Sequence, residues 1–180
     1  MNIPPRLTTQ RLILRSLIEQ DLTAYTAMCA DAEVMRFIGA GQTLTRAEAW
    51  RSLAMILGHW QLRGYGLWAV EARSTGEFLG RIGLWYPAGW PGLEVGWMLC
   101  RSAWGQGFAT EGAIAARDYA FNTLGKAQVL HLIQPANQAS IRVAERLGAT
   151  HQQIIELQGQ TVLVYATTRP ANLDQAASPA

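Results

Sequence analysis

The segment Trp104-Gly105-Gln106-Gly107-Phe108-Ala109 decides how this chain should fold. It stands between a strand-like run, 93–100, and an Ala-rich stretch of helical composition, 109–124, so a strand passes through a short glycine turn into a helix. Such a turn gathers free backbone N–H groups and the positive end of the helix dipole around one point, which creates a binding site for an anion. Gly105 and Gly107 lack a Cβ, so the backbone can approach a diphosphate closely.

Two other phosphate-binding motifs do not fit this segment. No Gly-Lys-Ser/Thr follows, as in a nucleoside-triphosphate loop, and no third glycine precedes an acidic residue about 20 positions later, as in a dinucleotide fold. Two glycines taken alone are equally compatible with a tight strand-to-helix connection that binds no ligand. A second feature of the sequence is needed to choose between these interpretations.

The residues before the glycine segment predict a strand, two helices and an antiparallel meander. Residues 10–15 alternate polar and apolar side chains, and 19–30 have helical composition. Thr45-Arg46-Ala47-Glu48 has the form of a capping box, which begins a second helix that continues to Arg63. The meander consists of strands at 67–72, 78–86 and 93–100.

The residues after the glycine helix predict a short buried strand at 129–133, a helix at 137–147 and a final hairpin, 150–168. Strand 129–133 follows a helical crossover, so it should pair parallel with its predecessor. The element order predicts an α/β fold with a mixed, mostly antiparallel sheet of seven strands and about four helices. We expect one domain over 1–168 and a disordered tail over 169–180.

Composition limits the classes of protein that fit. The chain has 180 residues, 49% of them hydrophobic, enough for one sizeable core, and its net charge of +2 without basic runs disfavours nucleic acid as a partner. The sequence shows neither a secretory signal nor a spanning segment, which predicts a cytoplasmic protein without membrane contact. Cys29 and Cys100 lie far apart and the histidines show no ligand spacing, so we expect neither a disulfide nor a metal site.

Tryptophan is frequent, with seven residues in the chain. Trp50 and Trp60 lie at helical spacing with Leu53 and Leu57, which predicts that all four belong to a stripe facing the core.

The second feature is the segment 137–148, Asn-Gln-Ala-Ser-Ile-Arg-Val-Ala-Glu-Arg-Leu-Gly. Its first turn presents Asn137 and Ser140, and an N-cap role explains Asn137 locally. Together with 104–111, however, it closely resembles the two signature motifs of the GNAT superfamily of N-acetyltransferases, and more narrowly the branch of the ribosomal-protein N-terminal acetyltransferases. The resemblance extends from Leu7-Thr8-Thr9-Gln10-Arg11-Leu12 to the final hairpin. It departs from the wider superfamily at Trp104, where Gln or Arg is usual.

The resemblance implies that acetyl-coenzyme A binds where two neighbouring parallel strands splay apart, without a metal. The backbone amides of 105–109 would bind its pyrophosphate, and the strand edge at 96–100 would bind its pantetheine arm. Asn137 would contact the pantetheine, and Ser140 would lie near the sulfur. The implied cofactor-binding residues are Met98, Leu99, Cys100, Trp104, Gly105, Gln106, Gly107, Phe108, Ala109, Thr110, Asn137 and Ser140.

Transfer to an amine needs a base, because an amine with a pKa of about 10.4 is protonated at neutral pH. Glu94 is the candidate, since it opens the strand and shares one face with Gly96. An ordinary solvated carboxylate is an equally good interpretation of Glu94.

The departing thiolate and the carbonyl oxygen also need hydrogen-bond donors. Ser140 is the candidate acid, with Tyr119 and Tyr165 as rivals. A backbone N–H at Met98 or Leu99 would stabilise the oxyanion.

In the resembled family the acceptor pocket is usually formed by the segment between the first two helices and by the hairpin loops, here 35–42 and 86–90. An aromatic wall is expected from Phe37, Trp85, Tyr86, Trp90 and Trp97. A protein N-terminus, an amino acid, a polyamine and an amine drug all remain open as acceptors, and so does a homodimer. The alternatives to an acetyltransferase are a non-catalytic acyl-coenzyme A sensor and a transferase of longer acyl chains.

Overall fold

The computed structural model describes residues 4–171, and eight strands in this range form one sheet. The strands are Leu7–Thr8 (β1), Leu12–Arg15 (β2), Leu67–Ala72 (β3), Phe78–Trp85 (β4), Glu94–Leu99 (β5), Gln128–Ile133 (β6), Thr150–Leu157 (β7) and Gln160–Thr168 (β8). Their order across the sheet is β1-β2-β3-β4-β5-β6-β8-β7. Every neighbouring pair is antiparallel except β5–β6, which is parallel.

This topology confirms the predicted mixed, mostly antiparallel α/β fold and its one parallel pair. The predicted count of seven strands was one too low, because β1 was not recognised. β1 has only two residues, Leu7 paired with Leu14 and Thr8 paired with Ile13, too few to show a period in the sequence. From residue 172 onward, the predicted tail lies outside the described residues.

Five α-helices lie within the described range, one more than expected. They are Leu22–Cys29 (α1), Ala32–Met35 (α2), Arg46–Arg63 (α3), Phe108–Asn122 (α4) and Gln138–Arg146 (α5). The helix predicted over 19–30 begins as a 3-10 turn at Glu19–Asp21, and α2 is an additional single turn. None of these helices is long and apolar enough to cross a membrane.

Helix α4 lies against the centre of the sheet, which places the glycine segment at the end of β5. Its approach is close at Gly112, where a Cβ would lie 2.6 Å from Cδ1 of the fully buried Ile82. A side chain at this position would require Ile82 to shift, so glycine allows the close packing of α4 on β4.

The predicted stripe on α3 is confirmed for Trp60 and wrong for Trp50. Trp60 is 2% exposed, and its indole N–H donates to the Leu67 carbonyl, whereas Trp50 is 49% exposed. The buried face of α3 passes through Ala49, Leu53 and Ile56 to Trp60. Trp50 follows Ala49 directly, so it points about 100° away from that face.

Arg15 joins the sheet to the start of α1. Its guanidinium donates two hydrogen bonds of 2.8 Å to the Asp21 carboxylate and one of 2.7 Å to Glu71. Asp21 is only 5% exposed and also accepts the Ile18 backbone N–H at 3.0 Å. The charged groups therefore satisfy one another in a site that is largely closed to water.

We expect Asp21→Asn to lower the free energy of unfolding by about 2 kcal/mol, because it leaves Arg15 without one of its two buried counter-ions. Chemical denaturation at neutral pH measures this loss. The matched control is Glu33→Gln, which removes the exposed partner of Arg36 at 3.9 Å and should cost less than about 0.5 kcal/mol. Equal losses in the two variants would contradict the structural role of the Arg15 site.

Candidate active site

The parallel pair β5–β6 separates after a single bridge. The Leu130 N–H donates to the Leu93 carbonyl at 2.8 Å, and Glu94 pairs with Leu130. In a regular parallel ladder the next bond would run from the Leu132 N–H to the Val95 carbonyl. No second bridge between β5 and β6 follows this one, and the Leu132 N–H instead acts to lower the pKa of the Glu94 carboxylate.

The imidazole of His131 satisfies the acceptor of the missing ladder bond, the Val95 carbonyl. Its Nδ1 lies 2.9 Å from the Val95 carbonyl, and its Nε2 lies 3.1 Å from the Thr167 hydroxyl. Because a carbonyl only accepts, Nδ1 carries the proton and Nε2 accepts from Thr167. Burial lowers the pKa of His131 to about 4, so the side chain is neutral at physiological pH and holds the two strands apart.

The backbone pattern of β5 determines which of its groups face the resulting cleft. The Cys100 N–H donates to Leu79 beside β4, so by alternation the main-chain groups of Met98 point toward β4 and those of Trp97 and Leu99 point toward β6. Of the two predicted oxyanion donors, Leu99 therefore faces the cleft and Met98 does not. Trp97, which the sequence did not suggest for this role, faces it as well.

The glycine segment forms an open cradle at the start of α4. Gly105 and Gly107 have φ values of 73° and 80°, a region that favours glycine. A Cβ on Gly105 would meet no heavy atom within 4 Å, so the backbone faces open space. The cavity above it has a volume of about 610 Å³ and is lined by Gln10, Gly105, Gln106, Gly107, Thr110, Glu111, Ile114 and Arg146.

Arg146 brings a positive charge from the last turn of α5 to this cradle. It lies within the 137–148 segment, but spacing alone does not distinguish it from Arg142, and only the packing of α5 shows which of the two arginines lines the cavity. Two sources of positive potential, the helix N-terminus and Arg146, therefore converge on one open surface.

Two residues of the N-terminal segment, Thr9 and Arg11, form hydrogen bonds with residues of the cradle and of the first turn of α4. The Arg11 guanidinium donates to the Gln106 carbonyl at 2.8 Å and to Glu111 at 2.7 Å, and the Thr9 hydroxyl donates to Glu111 at 2.6 Å. Burial alone would raise the pKa of Glu111, but these hydrogen bonds outweigh it and lower the pKa. Glu111 is thus charged and paired with Arg11, so it does not repel an anion in the cradle.

The start of α5 meets β5 at a hydrogen bond between two side chains. The Asn137 Oδ1 accepts the Ser140 backbone N–H at 3.1 Å, which is the N-cap role anticipated from the sequence. The Trp97 indole N–H donates to the Ser140 Oγ at 3.1 Å. Because an indole only donates, the hydroxyl proton of Ser140 remains directed toward another acceptor.

A second cavity, of about 390 Å³, opens beside the cleft. Four members of the predicted aromatic wall line it: Phe37, Trp85, Trp90 and Trp97. Tyr86 is not among the lining residues; its ring lies 5.3 Å from the Arg63 guanidinium. His59 stacks on Trp85 at 4.4 Å and accepts the Tyr86 N–H at 3.1 Å, which fixes the orientation of this wall.

The rest of this cavity comes from elements that the sequence did not bring together. Arg81 enters from β4, Gln134 follows β6, and the tip of the β7–β8 hairpin contributes 157, 158 and 160. Tyr119 packs on Trp68 and Tyr165 packs on His151, and neither lines this cavity or the glycine cradle.

Glu94 lies in this second cavity. The Trp90 indole N–H donates to its Oε2 at 2.7 Å, and a Cβ on Gly96 would stand 3.3 Å from its Oε1. The missing side chain of Gly96 therefore makes room for the carboxylate. Burial raises the pKa of Glu94 to about 7, although the Trp90 hydrogen bond and the charge of Arg81 act in the opposite direction.

Residues 11–150 match the model of the acetyltransferase (GNAT) domain. The chain belongs to the GNAT acetyltransferase family. It is 34% identical to the uncharacterized protein YkkB of Bacillus subtilis, over 92% of this chain and 96% of that protein.

Solved structures agree with this assignment. An acetyltransferase from Agrobacterium tumefaciens superposes with a TM-score of 0.82 and 32% identity, covering 92% of this chain and 95% of that one. RimL, a ribosomal L7/L12 alpha-N-protein acetyltransferase solved in complex with coenzyme A, has the same fold with a TM-score of 0.76 and 20% identity, covering 91% and 98%.

GNAT acetyltransferases use acetyl-coenzyme A, and the residues present here meet its chemical demands. A diphosphate needs converging N–H groups and positive charge, which the open backbone at Gly105 and the guanidinium of Arg146 offer. A pantetheine arm carries amides, and the unlinked edge of β5 offers a backbone donor and acceptor at Trp97 and a backbone donor at Leu99. The chain is an acetyl-coenzyme A-dependent acetyltransferase.

We expect His131 to make stability depend on pH. Its folded pKa of about 4 lies below the ordinary 6.5, so its contribution is complete above pH 6.5 and is lost as the pH falls toward 4. Over this window wild type should lose about 3 kcal/mol more of its free energy of unfolding than His131→Gln. Denaturation of both proteins between pH 7.5 and about 4 tests this, because Glu94 titrates equally in both. Parallel stability curves would show that His131 is not buried as a neutral group.

Proposed function

We propose that this GNAT acetyltransferase transfers the acetyl group to a primary amine, which attacks the thioester directly. Acetyl-coenzyme A supplies the acetyl group in activated form. The observation that carries the proposal is the Glu94 carboxylate, held with a pKa of about 7 in a cavity beside the β5–β6 cleft. A half-buried carboxylate with this pKa is suited to take a proton from an amine at neutral pH.

The glycine cradle would hold the pyrophosphate through the backbone N–H groups of 105–109, with Arg146 as an additional cation. The edge of β5 at Trp97 would bind the pantetheine amides, and the amide nitrogen of Asn137 would join it, because the Asn137 oxygen caps α5. The neighbouring residues of the predicted set are Met98, Cys100, Trp104, Gln106, Phe108 and Thr110. Among them, Trp104 fixes the cradle to β5 by donating to the Leu99 carbonyl at 2.9 Å.

Glu94 would remove the proton that the amine loses as it attacks, either directly or through a water molecule. As the new C–N bond forms, the acetyl oxygen gains negative charge, and the Leu99 N–H is the donor placed to stabilise it. As the C–S bond breaks, the Ser140 hydroxyl donates a hydrogen bond to the departing thiolate and keeps its own proton, and the thiolate takes up a proton from water afterwards. A thiol has a pKa of about 8.5, so this step needs only modest assistance.

If the glycine cradle binds the pyrophosphate, Gly105→Val should selectively lose the stabilisation by coenzyme A. Wild type should gain about 2.7 kcal/mol of stability with coenzyme A at one hundred times its dissociation constant. The added side chain at Gly105 would cover the backbone amides, so the variant should lose most of this gain, measured as the difference in thermal unfolding with and without coenzyme A.

The matched control for this experiment is Gly125→Val. Gly125 also has a positive φ, 62°, and open space around its Cβ position, but it lies at the opposite end of α4. It should lose a similar amount of intrinsic stability and keep the full gain from coenzyme A. If Gly105→Val keeps it too, the cradle does not bind the pyrophosphate.

The proposed role of Glu94 as the base predicts both the value of kcat/KM and its dependence on pH. We expect Glu94→Gln to lower kcat/KM about 100-fold, and to remove the rise in rate through about pH 7 that wild type should show as Glu94 deprotonates. Thiol release from acetyl-coenzyme A with an amine acceptor measures both. Glu77→Gln, at an exposed carboxylate in the β3–β4 turn, is the control and should leave the profile unchanged. An unchanged profile in Glu94→Gln would assign the proton to another group.

The same assay separates an enzyme from a sensor. Saturable binding of coenzyme A by wild type, with no thiol release on addition of any amine, would favour a non-catalytic sensor and contradict the proposed function. Comparing acetyl with longer acyl donors tests the remaining alternative, a transferase of longer chains.

A further inference from the structure

Arg81 is a charged group in the second cavity without a full set of partners. It lies on β4 opposite Met98. Its Nε is buried and has no hydrogen-bond partner, and Nη2 makes only a weak contact of 3.9 Å with the Met98 sulfur. Within residues 4–171 no carboxylate oxygen lies within 4.0 Å of its guanidinium.

Arg15, on the same sheet, shows the usual arrangement. It is saturated by two carboxylates, Asp21 and Glu71. A guanidinium cannot give up its proton, so Arg81 cannot relieve its burial by becoming neutral. A buried donor without a partner destabilises a fold, and such a group commonly becomes satisfied when a ligand binds.

The groups that face Arg81 do not pair with it. The Cys29 thiol has a pKa raised mainly by burial, although the charge of Arg81 acts to lower it. Met98 offers only a thioether, and Glu94 senses the charge of Arg81 without an ion pair. The positive charge is therefore directed into the cavity that also contains the base.

The register of β4 and β5 places Arg81 and Glu94 at opposite ends of one short stretch of sheet. Arg81 pairs with Met98, Gly83 with Gly96, and Trp85 with Glu94. The middle pair consists of two glycines, so neither strand places a side chain of its own between Arg81 and Glu94, and the Glu94 carboxylate lies over Gly96. An acceptor that spans it meets a base at one end and a cation at the other.

We propose that Arg81 binds a carboxylate of the acceptor, which makes the natural acceptor an amine that also carries a carboxylate, in the class of free amino acids. The amino group then lies at Glu94 and the apolar part of the acceptor lies against Trp85 and Trp90. The inference rests on the proposed function. It disfavours polyamines, whose second cation would meet Arg81, and protein N-termini, which present a neutral peptide carbonyl in place of the carboxylate.

Three sets of acceptors test this with wild-type protein and acetyl-coenzyme A: the twenty standard amino acids, their primary amides, and a group of polyamines and short peptides with free N-termini. For the best amino acid, kcat/KM should exceed that of its own amide at least about tenfold, because a charged hydrogen bond replaces a neutral one. An amide, peptide or polyamine that is used as well as or better than every amino acid would overturn the inference and leave the proposed function intact. Absence of thiol release with all acceptors would instead contradict the proposed function.

Variants at Arg81 test whether this side chain causes the preference for an amino acid over its amide. In Arg81→Gln the ratio of kcat/KM between amino acid and amide should fall to about one, through a higher KM for the amino acid, and Arg81→Lys should retain part of it. The ratio is taken within each variant, so a loss of stability or of coenzyme A binding cancels. An amino-acid preference that survives in Arg81→Gln would show that another group binds the carboxylate.

Discussion

The active site depends on the interruption of one parallel strand pair. After the bridge between Glu94 and Leu130, two side chains take the main-chain groups that would have continued the ladder. The Glu94 carboxylate attracts the Leu132 N–H, and the imidazole of His131 satisfies the Val95 carbonyl. A buried backbone group without a partner is costly, so the cleft persists because these side chains replace the lost bonds. The candidate base is thus also one of the groups that open the cleft.

Charge is distributed so that the two ends of this cleft can have different chemistry. At the cradle, Glu111 is neutralised by Arg11, which leaves the helix dipole and Arg146 to attract an anion. At the other end, burial brings the pKa of Glu94 close to neutrality, and Arg81 supplies a cation without a carboxylate partner. The proposed sites for the diphosphate and the amine therefore lie at opposite ends of the cleft beside β5, with the thioester expected between them.

The sequence predicted those features that follow from local spacing. The glycine segment, the strand before it and the capped helices were recognisable, because turn residues and hydrophobic period are local properties. The sequence could not place Trp50, since one residue of helical phase separates a buried side chain from an exposed one. It also missed Arg81, Arg146 and the hairpin tip at 157–160, because their positions beside the two cavities depend on how elements distant in the sequence pack together. The shared face of Gly96 and Glu94 was predictable, but not that the Glu94 carboxylate fills the space left by the missing side chain of Gly96.

Transfer to an amine is tested most directly by incubating the protein with isotope-labelled acetyl-coenzyme A and a mixture of amines, and identifying products by mass spectrometry. The structure predicts a labelled N-acetyl product that forms in step with thiol release and whose formation requires the protein. Release of thiol without any labelled amine, or binding of coenzyme A with no product from any amine, would contradict it.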